Sequence, residues 1–200
     1  MLYSHVEIFR KGVYLYRLNQ VGQNKQVIKI MKIAIVAAFL ALTLTVRAAD
    51  LTVTITDVHL CCQSCVKGVS KAVADVSGLT AKADEDAGTV TLTGPDSATV
   101  QKGADALVAA GFFGKSSDAS IKINAETGAK NQTVQSMKIE GLHLCCGKCV
   151  KAVNEVLAGV PGVTGNTAAK GAKSFEVTGN FNDKDVFDAL QKAGLTGQEK

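Results

Sequence analysis

The stretch LTVTITDVHLCCQSCVKGVSKAVADVSG, residues 51–78, changes its hydrophobic period halfway along. Leu51, Val53 and Ile55 alternate with Thr52, Thr54 and Thr56, the period-two pattern of a half-buried strand rich in β-branched residues. Beyond it Cys65, Val66, Val69, Val73 and Val76 recur at helical spacing, with Lys67, Ser70, Lys71 and Asp75 on the other face, until Ser77-Gly78 stops the helix. Cys62 and Cys65 therefore straddle a strand-to-helix turn, where two sulfurs can reach one point.

The heptapeptide at that turn, HLCCQSC from His59 to Cys65, recurs as HLCCGKC from His143 to Cys149. All six cysteines, and both histidines beyond the first 48 residues, fall inside these two copies. Soft, ionisable side chains confined to two matching places point to thiolate chemistry: metal chelation, disulfide exchange or stapling of the fold. Stapling is the plainest of the three, but a Cys62–Cys65 bridge would close a very short loop and restrain the unfolded chain little. A bridge between the two copies stays open.

The flanking pattern repeats as well. In copy one, residues 50–124, Leu79 to Ala83 and Val90 to Thr93 read as strands joined by the polar turn Asp84 to Gly88. Ala98 to Ala110 reads as a helix opened by Asp96 or Ser97 and closed by Gly111, and Ile121 to Ile123 as a last short strand. A polar linker, 125–133, leads to copy two, residues 134–200. There Val134 to Ile139 is a strand, Val150, Val153, Val156 and Leu157 a helix stripe, and Phe175 with Val177 a further strand. Asn182 or Asp183 opens a helix carrying Val186, Phe187 and Leu190, after which the final strand is short or missing. The order strand, helix, strand, strand, helix, strand predicts an α+β fold: two ferredoxin-like βαββαβ domains, each an antiparallel sheet with two helices on one face.

Ahead of these copies, Ile33 to Val46 is an apolar run after Met31-Lys32, and Val46-Arg47-Ala48 supplies a small-residue cleavage pattern. Residues 31–48 thus read as a signal peptide and 1–30 as an upstream mis-start or long n-region, so the expected location is periplasmic or secreted. Of 22 basic and 18 acidic residues, seven basic and one acidic fall in 1–48, leaving 15 against 17, about −2. The remainder has no Arg, Trp or Tyr, which removes the guanidinium and stacking contacts of a nucleic-acid binder. No carboxylate pair beside the motifs, nucleophile signature or phosphate loop is visible, so no enzymatic activity is expected.

At a helix start, free amides and the helix dipole favour the thiolate forms of Cys62 with Cys65 and of Cys146 with Cys149. Two convergent thiolates suit Cu(I) or Hg(II), whereas Zn(II) takes four ligands. Cys61 and Cys145 offer a third sulfur if the chain bends at that point, since neighbours in an extended segment point to opposite sides. His59 and His143 offer a nitrogen that would complete a Cys₃His set; the plainer reading makes them partly buried loop residues. Lys148 would favour thiolate in the second motif, or is simply a solvated side chain.

Each copy resembles the heavy-metal-associated (HMA) domain of copper chaperones, copper-ATPase N-terminal regions and periplasmic mercury-binding proteins. The matching features are the C-x-x-C after the first strand, Val153 to Val163 ending in VPGV, and the Ala-Gly at Ala110-Gly111 and Ala193-Gly194. The resemblance implies that Cys62, Cys65, Cys146 and Cys149 are the metal ligands, held on a mobile loop for transfer between sulfurs. This chain departs from the family's G-M-x-C-x-x-C at four places: His59 and His143 replace glycine, Leu60 and Leu144 replace methionine. Cys61 and Cys145 stand where Thr or Ser is common; these changes and the two histidines bear on which metal is bound and by how many ligands. The family often carries an aromatic residue after the second helix; Phe112 matches it and Leu195 does not.

The function expected is therefore an exported protein that binds, buffers or transfers a soft metal ion, Cu(I) before Hg(II) or Zn(II). Its expected partner is a membrane metal transporter or another metal-binding protein. Thiol-disulfide exchange is the rival, although the cis-proline usual opposite such thiols has no counterpart in Pro95 or Pro161. A module that only docks to a metal transporter is the third reading.

Overall fold

The structure, a computed structural model, describes residues 49–200. The expected signal peptide and upstream segment lie outside the described residues. Among the described residues no helix is long and apolar enough to cross a membrane.

The first half runs β1 (Leu51–Thr56), α1 (Gln63–Ala72), β2 (Thr80–Asp84), β3 (Thr89–Gly94), α2 (Ser97–Ala109) and β4 (Lys115–Ser116). Its sheet is antiparallel in the order β2-β3-β1-β4. Register pairs Val53 with Leu92 and Ile55 with Val90, so one face is aliphatic and buried. The opposite face is a threonine ladder, in which the Thr52 and Thr93 hydroxyls meet at 3.0 Å. Cys65, Val69 and Val73 from α1 and its end, with Val100, Ala104 and Leu107 from α2, cover the aliphatic face.

The second half repeats the plan: β5 (Thr133–Glu140), α3 (Gly147–Ala158), β6 (Val163–Asn166), β7 (Ser174–Asn182), α4 (Asp183–Lys192) and β8 (Gln198–Glu199). The strand order is β6-β7-β5-β8, again antiparallel. Met137, Ile139, Phe175, Val177 and Phe181 face Cys149, Val153, Leu157, Val186, Phe187 and Leu190. Each half thus has the βαββαβ connectivity and strand order of the ferredoxin-like plan. A two-residue β8 does form at the C-terminus, pairing with Ile139 and Glu140.

Two details differ from the sequence reading. Helix α1 ends at Ala72 and tightens into turns in which Ala74 N donates to Lys71 O and Val76 N to Val73 O, so Val76 continues a stripe but not a helix. The last strand of the first half is Lys115–Ser116 instead of 121–123. Gly114 allows this, because a Cβ there would lie 2.4 Å from Thr56 O and keep the chain off β1. Residues 121–123 are tied to α2 instead: the Gln101 side chain accepts from Lys122 N and donates to Lys122 O, both at 2.8 Å. Asn182, one of the two residues expected to open α4, does cap it, and the neighbouring Asp183 anchors the linker by accepting from Lys130 N at 2.8 Å and Gln132 N at 2.9 Å.

The two halves meet corner to corner. Helices α2 and α4 both close on a left-handed glycine, Gly111 at φ +86° and Gly194 at φ +78°. Each glycine is pressed against the loop before the other half's cysteines. A Cβ on Gly111 would lie 2.5 Å from His143 N, and one on Gly194 2.5 Å from His59 N. Gly194 O accepts from His59 N at 3.2 Å and from Phe113 N at 3.1 Å, Gly111 O accepts from Thr196 N at 3.1 Å, and Phe112 bridges Leu195. Close approach of backbone to backbone is possible only because both corners lack side chains.

Candidate metal centre

Cys62 and Cys146 sit at the N-caps of α1 and α3 in extended backbone, and their side chains make no capping bond. Leu60 and Leu144 are buried in the core, holding one end of each loop down. Cys65 and Cys149, in the first turns, are fully buried, whereas Cys61, Cys62, Cys145 and Cys146 are partly exposed. Because the corners described above seat each half on the other's loop, the two motifs face each other.

All six sulfurs consequently form one cluster. Within the copies, Cys61 lies 3.7 Å and Cys62 3.9 Å from Cys65, and Cys145 lies 3.6 Å and Cys146 3.7 Å from Cys149. Between the copies, Cys61 meets Cys149 at 3.4 Å and Cys146 at 3.6 Å, and Cys65 meets Cys145 at 3.5 Å and Cys149 at 3.9 Å. Cys62 meets Cys146 at 3.7 Å and Cys145 at 4.0 Å. None of the six is disulfide-bonded. The chain does bend at Cys61 and Cys145, so both join the C-x-x-C sulfurs. The sequence left this open because side-chain direction there depends on a loop that neither strand nor helix periodicity describes.

Six negative sulfurs cannot share this volume unaided, since two unit charges 4 Å apart repel by about 4 kcal/mol at an effective dielectric constant of 20. Proton positions reflect that. The hydrogen bond from Cys149, against burial and with help from His143, holds the Cys65 thiol far below its ordinary value, and the same bond pushes Cys149 well above it. Burial pushes Cys61 up to about 12 and raises Cys145 as well. The Cys149 backbone amide, at the start of α3, lowers Cys146 to about 6.

The histidines flank the cluster. His59 groups with Cys61 and Cys149 within 4.8 Å, and burial lowers its pKa, leaving a neutral ring. His143 stacks on Phe112 of the other half at 4.5 Å between centroids. In both, Nε2 is buried without a hydrogen-bond partner. Lys148, exposed as a solvated side chain would be, reaches across to Cys61 O at 3.4 Å. Leu195, which stands where Phe112 stands in the first half, is buried and joins Phe112 in an antiparallel backbone bridge.

Chemically the cluster offers sulfur triads. Cys61, Cys62 and Cys146 lie within 4.8 Å of one another, as do Cys62, Cys65 and Cys145, and Cys145, Cys146 and Cys149. The first two of these triads mix both copies, a convergence that no spacing within either heptapeptide encodes. The signal that could have pointed to it is the pair of Ala-Gly corners, each of which needs a partner surface without side chains.

No protein-family model and no curated protein matches the sequence. Solved structures overlap parts of it. The N-terminal domain of PacS from Synechocystis PCC6803 is 20% identical over 34% of this chain and 98% of its own, with a TM-score of 0.31. The apo HMA domain of the copper chaperone for superoxide dismutase is 24% identical over 42% of this chain and 84% of its own, TM-score 0.31. The N-terminal soluble domains of Bacillus subtilis CopA are 15% identical over 76% of this chain and 95% of their own, TM-score 0.30. Strand order and connectivity of the two halves, more than these partial overlaps, define the fold.

Proposed function

We propose that this protein binds a soft, thiophilic metal ion, Cu(I) before Hg(II) or Zn(II), and buffers it or hands it on outside the cytoplasm. The observation that carries this is the convergence of six thiols at 3.4–4.0 Å, a donor set of sulfur that suits soft ions. Copper leads because the sulfurs group in threes, while a structural zinc wants four around one point. Partial exposure of Cys61, Cys62, Cys145 and Cys146 leaves edges of the cluster open to an incoming thiolate, the requirement for transfer between sulfurs. An open cleft lined by Lys71, His143, Cys145 and Lys173 reaches the cluster from one side. The partner we expect is a membrane metal transporter or a second metal-binding protein, and no catalytic role is assigned.

The test is metal content by elemental mass spectrometry, with thiol labelling under denaturing conditions, on protein isolated without reductant. One or more equivalents of copper, zinc or mercury per chain, with thiols unmasked on stripping, supports the reading. Absence of both metal and free thiols overturns it in favour of thiol-disulfide exchange, which the lowered Cys146 at a helix start would serve.

A further inference from the structure

Ten sulfur pairs lie at 3.4–4.0 Å, and the two remaining neighbours, Cys61 with Cys62 and Cys145 with Cys146, lie within 4.8 Å. These twelve contacts are the edges of an octahedron. Cys61 stands opposite Cys145, Cys62 opposite Cys149, and Cys65 opposite Cys146. Any four vertices of an octahedron include an opposite pair, so no four sulfurs in this pattern all touch. A tetrahedral ion is poorly served; a trigonal one has a seat on each face.

The centre of an equilateral face lies at the edge divided by √3 from each vertex, so edges of 3.4–4.0 Å, as in Cys61–Cys65–Cys149 and Cys62–Cys65–Cys145, place an ion about 2.0–2.3 Å from three sulfurs, close to the ~2.3 Å of a metal–thiolate bond. Four alternate faces are Cys61–Cys62–Cys146, Cys145–Cys146–Cys149, Cys62–Cys65–Cys145 and Cys61–Cys65–Cys149. Any two of them share one sulfur, and every sulfur belongs to two. Three are the sulfur triads already described, and the fourth has edges of 3.7, 3.9 and 3.4 Å.

Resting on the metal-binding reading above, we infer that the two copies form one polynuclear centre within a single chain: four Cu(I) ions, each trigonal, held by six doubly bridging cysteine thiolates. Starting from six thiols, four Cu⁺ enter, six S–H bonds break, six protons leave and twelve Cu–S bonds form, for a net charge of −2 with no change of oxidation state. The amino ends of α1 and α3 both abut this anion, and Lys148 stands beside it. Cys61 and Cys145 then explain themselves: two C-x-x-C pairs alone supply four sulfurs, too few for the faces. The four ions share every ligand, so a partly filled cluster leaves thiolates unbridged and the centre fills cooperatively.

The test is anaerobic titration of the reduced full chain with a Cu(I) acetonitrile complex, followed by native mass spectrometry and X-ray absorption. The expected result is passage from the metal-free chain to a four-copper species of one-chain mass, with one- and two-copper species scarcely populated. Copper should show three sulfur neighbours and copper–copper scattering. Saturation at one or two ions with two-sulfur coordination, or a four-copper species found only at twice the chain mass, overturns the shared centre while leaving metal binding intact. Failure to take up copper overturns both. In Cys61→Ser/Cys145→Ser, which leaves both C-x-x-C pairs, uptake should fall from four ions to two or fewer; unchanged stoichiometry overturns the inference.

Discussion

Cys61 Sγ lies 3.4 Å from Cys149 Sγ, 88 positions away in the chain, closer than Cys61 lies to Cys65 at 3.7 Å or Cys149 to Cys145 at 3.6 Å. A cysteine outside the C-x-x-C pair of one copy thus has its nearest sulfur in the other copy. Removing its sulfur takes a ligand from two neighbouring faces. Cys61→Ser is therefore expected to weaken Cu(I) binding by more than tenfold, about 1.4 kcal/mol or more. Competition against a chromophoric Cu(I) chelator measures it, and an affinity within twofold of the unaltered protein would exclude Cys61 as a ligand.

How far the sequence carried can be judged from these same residues. The threonine-aliphatic alternation of β1 and the stripe of Val153 and Leu157 describe strands and helices whose pattern repeats every two or nearly four residues, and both formed as expected. Pairing of the two copies left no such trace, because it depends on backbone packing at Gly111 and Gly194, where the informative feature is a missing side chain. The direction of Cys61 is likewise a property of an irregular loop. The expected strand at 121–123 failed for a related reason: a local apolar run cannot reveal that Gln101 will take its backbone hydrogen bonds.

Gly194 tests the corner packing. Its φ of +78° disfavours any other residue, and a Cβ would lie 2.4 Å from Asp57 O, an atom of backbone that cannot swing away. Gly194→Ala should cost about 1–3 kcal/mol of stability in the metal-free protein. It should also separate the motifs and erode cooperative metal uptake. Urea unfolding and Cu(I) titration of the variant report the two effects, and a loss of stability without any change in metal binding would show that the corner does not set the cluster.

Asp183 is fully buried, yet its carboxylate accepts from the backbone amides of Lys130, Gln132 and Lys184. Burial opposes the charge, but these donors outweigh it and hold the pKa below the ordinary carboxylate value. Its contribution to stability is accordingly present above the unfolded-state value of 3.8 and is lost as pH falls below it. Asp183→Ala leaves the amides without acceptors and should cost about 1–3 kcal/mol. Limited proteolysis should then cut faster at Lys130, since the linker loses its anchor; unchanged cleavage would show that the linker is held by other contacts.

Thiol ionisation gives metal binding a definite pH dependence. Cys61, near 12, is protonated at neutral pH, as are Cys145 and Cys149, so each ion that engages them displaces protons. Apparent Cu(I) affinity should therefore rise steadily between pH 6 and pH 8 in competition measurements corrected for the chelator's own protonation. For the metal-free fold the two kinds of shift act oppositely. Cys146, lowered to about 6 from 9.0, contributes stability above pH 9 that is lost as pH falls through 6. Cys61, raised to about 12, contributes below pH 9 and loses its share as pH rises through 12. Thiolate ultraviolet absorbance during a pH titration separates them: an early step near 6 that disappears in Cys146→Ser is expected. An affinity independent of pH would mean that the six thiols are already ionised before the metal arrives.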